Sequence, residues 1–184
     1  MDHRDHVGLI RLGVEGAVDG PWADLGAGTG AFTLALADLL GPGGRITTID
    51  RDATDLREGE RRVRVAFPFV AIEARVADFT RPLDLPPLAG LVMANALHFV
   101  ERPRQVAVVR SLAALLRPGG RFVVVEYDTD HGNQWVPYPF TAATWEWMAA
   151  EAGLVGARPI GRVPSRFLGA IHGAMAARPR SDAA

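Results

Sequence analysis

The chain has 184 residues, 48% of them apolar, and a formal net charge of −1; this is material for one closed core, with no bulk electrostatic pull toward nucleic acid or an anionic membrane. It contains no cysteine, which excludes disulfides, thiolate nucleophiles and zinc knuckles. All 20 basic residues are arginine, which also excludes Schiff-base lysines and the phosphate-gripping lysine of P-loop enzymes.

In chain order, HVGLIRLGVEGAV near the start has helical periodicity, with Leu9, Leu12 and Val14 expected on one side of a cap helix. PWADLG is a first strand, and GAFTLALADLL a helix ended by Gly41 and Pro42. GRITTID is the second strand, ATDLREGERRVRVAF a charged and less regular helix, and a third strand lies in FVAIEARVADF. LAGLVMANALHFV holds a buried fourth strand, RPRQVAVVRSLAALL an amphipathic helix stopped by RPGG, and RFVVVEYD the fifth strand. A polar and aromatic loop, TDHGNQWVPYP, precedes the helix FTAATWEWMAAEAG. Two strands without a helix between them close the chain, LVGARPIGRV and RFLGAIHGAMA, separated by Pro164 and Ser165. This pattern predicts an α/β fold, a doubly wound and mostly parallel seven-stranded sheet with an antiparallel last strand. One domain is expected over residues 1–178, with a disordered tail over 179–184. The polar, acidic start and the lack of any run of about 20 apolar residues point to a cytoplasmic protein with no membrane partner.

In such sheets ligands sit beyond the carboxyl ends of the strands, and the first strand-to-helix turn is part of that crevice. Here the turn reads DLGAGTGAF. Gly26, Gly28 and Gly30 let the backbone bend sharply and approach a ligand, and Asp50 ends the second strand where a carboxylate can take ribose hydroxyls. An adenosine-containing ligand is implied. Gly26, Gly28 and Ala31 also satisfy the dinucleotide fingerprint G-x-G-x-x-[GA], so the glycines alone leave a nicotinamide cofactor open. Asp24 discriminates, because a carboxylate beside the loop disfavours pyrophosphate and favours a ligand carrying an ammonium and a sulfonium. S-adenosylmethionine is the expected cofactor. Asp78, in ARVADF, adds a carboxylate suited to an adenine amino group.

WADLGAGTG, ITTIDRD, ARVADF, LVMANALHFV and LLRPGGRFVVVEY, with the terminal strand pair, follow one another in an order that resembles the class I S-adenosylmethionine-dependent methyltransferases, in particular small single-domain members of types 11 and 25. The resemblance covers nearly the whole chain and implies a Rossmann-like methyltransferase fold. It implies that Asp24, Gly26, Ala27 and Gly28 hold the methionine end of the cofactor, that Gly30 belongs to the same cofactor-binding loop, and that Asp50, with Arg51 beside it, holds the ribose. It likewise implies that Asp78 and Phe79 hold the adenine, while Asn95 and Ala96 lie against the methionine part.

His98 follows the fourth strand and is a candidate general base, or else a packing or substrate-orienting histidine. Glu126, Tyr127, Asp128 and His131 lie at and after the end of the fifth strand; one of them is expected to contact substrate and the others to be solvated. Trp135, Tyr138 and Phe140 either line an acceptor pocket or cover the sheet edge, and Trp145 with Met148 belongs to the core. His3 and His6 have a ligand-like spacing, but without further fixed ligands no metal site is expected. NALH stands where amino-methylating enzymes of nucleobases or glutamine carry Asn-Pro-Pro-aromatic, and Asp128, Asp130 and Asn133 only partly supply the acidic set of metal-dependent catechol enzymes. The expected activity is therefore methyl transfer to a small-molecule acceptor rather than to nucleic acid, in an open pocket or one completed in a homodimer. The alternatives are a methyltransferase acting on a protein or other macromolecule and a non-catalytic or NAD-type cofactor binder.

Overall fold

The computed structural model describes residues 1–180. Its elements are α1 (His3–Val14), β1 (Pro21–Leu25), α2 (Ala31–Leu40), β2 (Arg45–Asp50), α3 (Ala53–Ala66), β3 (Ala71–Val76) and β4 (Leu88–Ala94). A single 3-10 turn over Leu97–Phe99 then leads into α4 (Arg102–Ala113), β5 (Leu116–Tyr127), α5 (Ala142–Glu151), β6 (Val155–Ser165) and β7 (Gly169–Ala177). The seven strands form one sheet in the order β3-β2-β1-β4-β5-β7-β6. All neighbours are parallel except at β7, which runs antiparallel between β5 and β6.

The buried faces explain this layering. β4 is buried along its whole length, as a strand covered on both faces must be. On one face Leu36, Val63 and Ile10, from α2, α3 and α1, pack over Trp22, Val92 and Val123. On the other, Val109 and Leu112 of α4 with Trp145 and Met148 of α5 pack over Leu91, Phe122 and Val124. Helix starts are set by local chemistry: Asp52 and Thr141 cap α3 and α5 through their side chains, and Asp2 with Asp5 forms a capping box on α1.

Three expectations need correction. Leu12 is 56% exposed, and the inward stripe of α1 is Val7, Leu9, Ile10, Gly13 and Val14. Gly13 sits there because a Cβ would lie 2.6 Å from Val123 Cγ2, so the helix rests directly on β5. The RPGG segment does not merely stop α4 but belongs to β5, which starts at Leu116 opposite Leu88 and resumes its pairing at Arg121 after a register shift. Pro164 and Ser165 extend β6, so the hairpin turns at Arg166–Leu168, where Leu168 takes a left-handed φ of 61°. Of the tail expected to be disordered, residues 181–184 lie outside the described residues; ahead of it, the Arg178 amide donates to Gly120 O at 2.9 Å and the Arg178 carbonyl accepts from the Gly119 amide at 3.0 Å.

The sheet reverses its winding between β1 and β4, so their carboxyl ends open a crevice at Leu25 and Ala94. The sequence-predicted turn occupies that crevice. Among the described residues no helix is long and apolar enough to cross a membrane.

Candidate active site

The glycine loop is fastened to β2. Gly26 and Ala27 donate their amides to Ile49 O at 2.7 and 3.1 Å, and Gly28 donates to Asp50 Oδ2 at 2.9 Å. Asp50 Oδ1 accepts from the Asp52 amide at 3.0 Å. Each oxygen of Asp50 therefore clamps backbone and keeps one lone-pair direction for a ligand. Gly28 has φ +49°, and a Cβ there would meet nothing within 4 Å. Gly30 serves differently: with φ +82° it is the N-cap of α2, pressed against Gly59 of α3.

Two cavities flank this loop and share Gly26 and Asn95. One, about 140 Å³, is lined by Asp50, Arg51, Phe79, Ala96 and Phe99. The other, about 270 Å³, is lined by Asp24, Ala27, Gly28 and Phe32, with Met1 ahead of α1 and His6 within it. A larger cavity of about 480 Å³ lies at the opposite, amino ends of the strands among Pro21, Arg45, Thr47, Glu73 and Pro87, away from the strand-end carboxylates and the loop. Chemistry rather than volume places the site.

The second cavity is lined by acceptors that lack donors. Asp24 is 1% exposed, and Thr33 Oγ1 donates to its Oδ2 at 2.6 Å. Its other oxygen has no partner, and no basic side chain pairs with it, among the described residues. Burial pushes its pKa up from 3.8 to about 6, against the smaller lowering effect of Thr33. Asn95 takes a left-handed φ of 50°, and its buried Oδ1 has no hydrogen-bond partner. A buried acceptor without a donor is costly unless a ligand supplies one. Both residues suit an ammonium.

His98 lines neither cavity but follows directly on the Asn95–Ala96 segment beside Phe99, and it forms a buried pair with Glu126. His98 Nδ1 lies 2.9 Å from both Glu126 oxygens, and Glu126 Oε1 also accepts the Tyr127 amide at 2.7 Å. Because a carboxylate only accepts, Nδ1 carries the proton and Nε2 presents its lone pair. Nε2 has no protein partner among the described residues and is not among the polar atoms sealed from solvent. Phe99, 61% exposed, stands 4.3 Å from the His98 ring, centroid to centroid. The surrounding loop is held by Gln105, whose buried side-chain amide donates among Leu97 O, Val100 O and Tyr138 O, and by the Tyr138 amide, which donates to His98 O at 3.1 Å.

A family model of the methyltransferase domain matches residues 23–120, more than half of the chain and the whole span from the glycine loop to β5. The chain belongs to this methyltransferase family. Its members take S-adenosylmethionine as methyl donor, and so does this methyltransferase. Among solved structures it is similar to the N-methyltransferase NodS from Bradyrhizobium japonicum WM9 in complex with S-adenosyl-L-homocysteine, with 20% identity, a TM-score of 0.76, and 96% of this chain and 87% of that one covered. It is also similar to magnesium protoporphyrin IX methyltransferase (ChlM) from Synechocystis PCC 6803 with bound SAM, at 16% identity, TM-score 0.74, and coverage of 96% and 79%. These likenesses concern the fold. No curated protein sequence matches the chain.

The residues expected from sequence fall into three groups. Asp24, Gly26, Ala27, Gly28, Asp50, Arg51, Phe79, Asn95 and Ala96 line the two cavities. Gly30 and Asp78 do not; Asp78 Oδ1 accepts both the amide and the hydroxyl of Thr80, bonds that hold its pKa below the usual carboxylate range. Of the acceptor-side candidates, Tyr127 lies 6.4 Å from the His98 ring. Asp128 is paired with Arg162 at 2.9 Å, and His131 and Trp135 are exposed.

Glu126 is not a solvated loop residue: it is fully buried on β5, because its partner His98 comes from another part of the chain. Phe140 lines no acceptor pocket either, since it is buried against Trp145 and His172. Sequence reasoning missed Phe99, Gln105 and the presence of His6 at the crevice. For His6 the ligand-like spacing with His3 misdirected attention, since His3 pairs with Asp38 at 3.1 Å instead.

Proposed function

We propose that this methyltransferase transfers the methyl group of S-adenosylmethionine to a nucleophile on a small molecule, with His98 as general base and Glu126 as its positioning residue. The observation that carries the proposal is the His98–Glu126 pair, oriented through Nδ1 and open at Nε2. In this reading Asp24 and the Asn95 side chain take the ammonium of the donor. The free lone pairs of Asp50 take the ribose hydroxyls, and Phe79 borders the adenine. Gly26, Ala27 and Gly28 supply a floor without side-chain bulk, and Gly30 and Ala96 shape its two ends.

When bound, the donor supplies an activated methyl carbon whose leaving group departs as a neutral thioether. The chain then has to place the acceptor in line, exclude water and take one proton. Nε2 of His98 accepts the acceptor's proton as its nucleophilic atom forms the new bond to carbon. The imidazolium so produced is balanced by Glu126, which also fixes the tautomer before the reaction. The exposed ring of Phe99 and the nearby Tyr127 give the acceptor an aromatic wall.

A screen of hydroxyl, amine and thiol compounds for S-adenosylhomocysteine release identifies the acceptor. With an acceptor in hand, His98→Gln and Glu126→Gln are expected to lower kcat by about 10²–10⁴-fold while leaving affinity for S-adenosylhomocysteine within twofold. Unchanged kcat in both variants across pH would remove the base from the mechanism.

A further inference from the structure

His6 is the one titratable side chain of the amino-terminal helix that enters the crevice. It lines the same cavity as Asp24, Gly28 and Asn95. Its ring is half-buried and set against Phe32, centroids 4.8 Å apart, and neither ring nitrogen has a protein partner among the described residues. A half-buried imidazole in a ligand cavity with both nitrogens unengaged has donor capacity directed at whatever fills that cavity.

The cavity is sorted by polarity. Its floor carries acceptors, the buried Asp24 carboxyl and the orphaned Asn95 Oδ1. Its rim carries donors, His6 and the first turn of α2, whose N-cap Gly30 has no side chain to satisfy the amides there. The amino-acid end of S-adenosylmethionine bears one ammonium and one carboxylate on the same carbon. If the ammonium is at the floor, the carboxylate is left at the rim.

The position of His6 is fixed rather than chosen by a loose terminus. The Asp2–Asp5 capping box closes the first turn of α1, and the His6 amide donates to Asp2 O at 3.2 Å. One turn on, the backbone of α1 lies directly on β7, where any Cβ on Gly173 would run into the Leu9 carbonyl oxygen.

We infer that His6 is the residue that recognises the donor's carboxylate, making α1 part of the donor site and selecting the intact amino-acid end. This inference rests on the donor crevice proposed above. Three ligands separate it from that reading in calorimetry: S-adenosylhomocysteine, decarboxylated S-adenosylmethionine, which keeps the ammonium and the sulfonium but has no carboxylate, and 5′-methylthioadenosine, which lacks both the ammonium and the carboxylate. His6→Phe keeps a ring against Phe32 and removes the donor. It is expected to weaken S-adenosylhomocysteine about tenfold or more, with the other two ligands within twofold of the unaltered protein. His6→Gln, which restores a donor without the ring, is expected to recover part of the loss. An unchanged affinity of His6→Phe for S-adenosylhomocysteine, or an equal loss for all three ligands, overturns the assignment. If the unaltered protein binds 5′-methylthioadenosine as tightly as S-adenosylhomocysteine, the amino-acid subsite itself is lost, and the inference with it.

Discussion

The Asp24 carboxyl, proposed above to take the donor's ammonium, works against the stability of the free protein. Burial raises its pKa from 3.8 to about 6, so the folded chain holds this proton more tightly than the unfolded chain does. The stability this group allows is greatest below pH 4, falls as pH rises through about 6, and is lowest above that. A shift of this size corresponds to about 3 kcal/mol. Asp24→Asn keeps an acceptor for Thr33 and removes the charge. Its melting temperature without ligand is expected to exceed that of the unaltered protein at pH 8 and to equal it at pH 4, while affinity for S-adenosylhomocysteine falls at pH 8. Equal melting shifts at both pH values would mean that the buried charge is not the cause. Asp24 itself was legible in sequence because it stands two residues before Gly26 on a strand end. The His98–Glu126 pair was only half legible, since nothing local in EYD reports that its glutamate meets a histidine 28 positions earlier.

At the scale of elements, α3 shows why a charged helix of modest pattern is needed near the cofactor loop. Gly59 faces Gly30, with a Cβ placed only 3.2 Å from both Gly30 N and Thr29 C, and Arg62 donates to Thr29 O at 2.8 Å. The helix thus backs the loop from behind while Asp50 clamps it from β2. Gly59→Val forces backbone apart at that contact, and affinity for S-adenosylhomocysteine is expected to drop at least tenfold although residue 59 lines neither cavity. A titration of this variant with retained secondary structure by circular dichroism checks it; unaltered affinity would free the loop from dependence on α3. The strand and helix alternation was readable because caps, glycines and prolines mark each boundary locally. The bounds of β5 and the hairpin turn were not, since they depend on pairing with β4 and β7.

For the whole molecule, the two cavities of the crevice are together built from segments that are distant in sequence, from Met1 to Phe99. Ligand binding should therefore reinforce the global fold rather than one loop. At a hundredfold excess over its dissociation constant, S-adenosylhomocysteine is expected to add about 2.7 kcal/mol, raising the melting temperature by roughly 5–10 °C for a chain of this size. NAD is expected to leave it unchanged; a shift with NAD and none with S-adenosylhomocysteine would reverse the cofactor assignment. The place of β7 has a further effect. β6 bonds only to β7, and β5 has no neighbour on that side until β7 inserts. On a ribosome, the glycine loop and β1 to β4 emerge and can collapse while β5 still presents a raw edge. The His98–Glu126 pair proposed to accept the proton, which needs Glu126 of β5, is thus completed late in synthesis, after the loop proposed to hold the methyl donor has already taken shape.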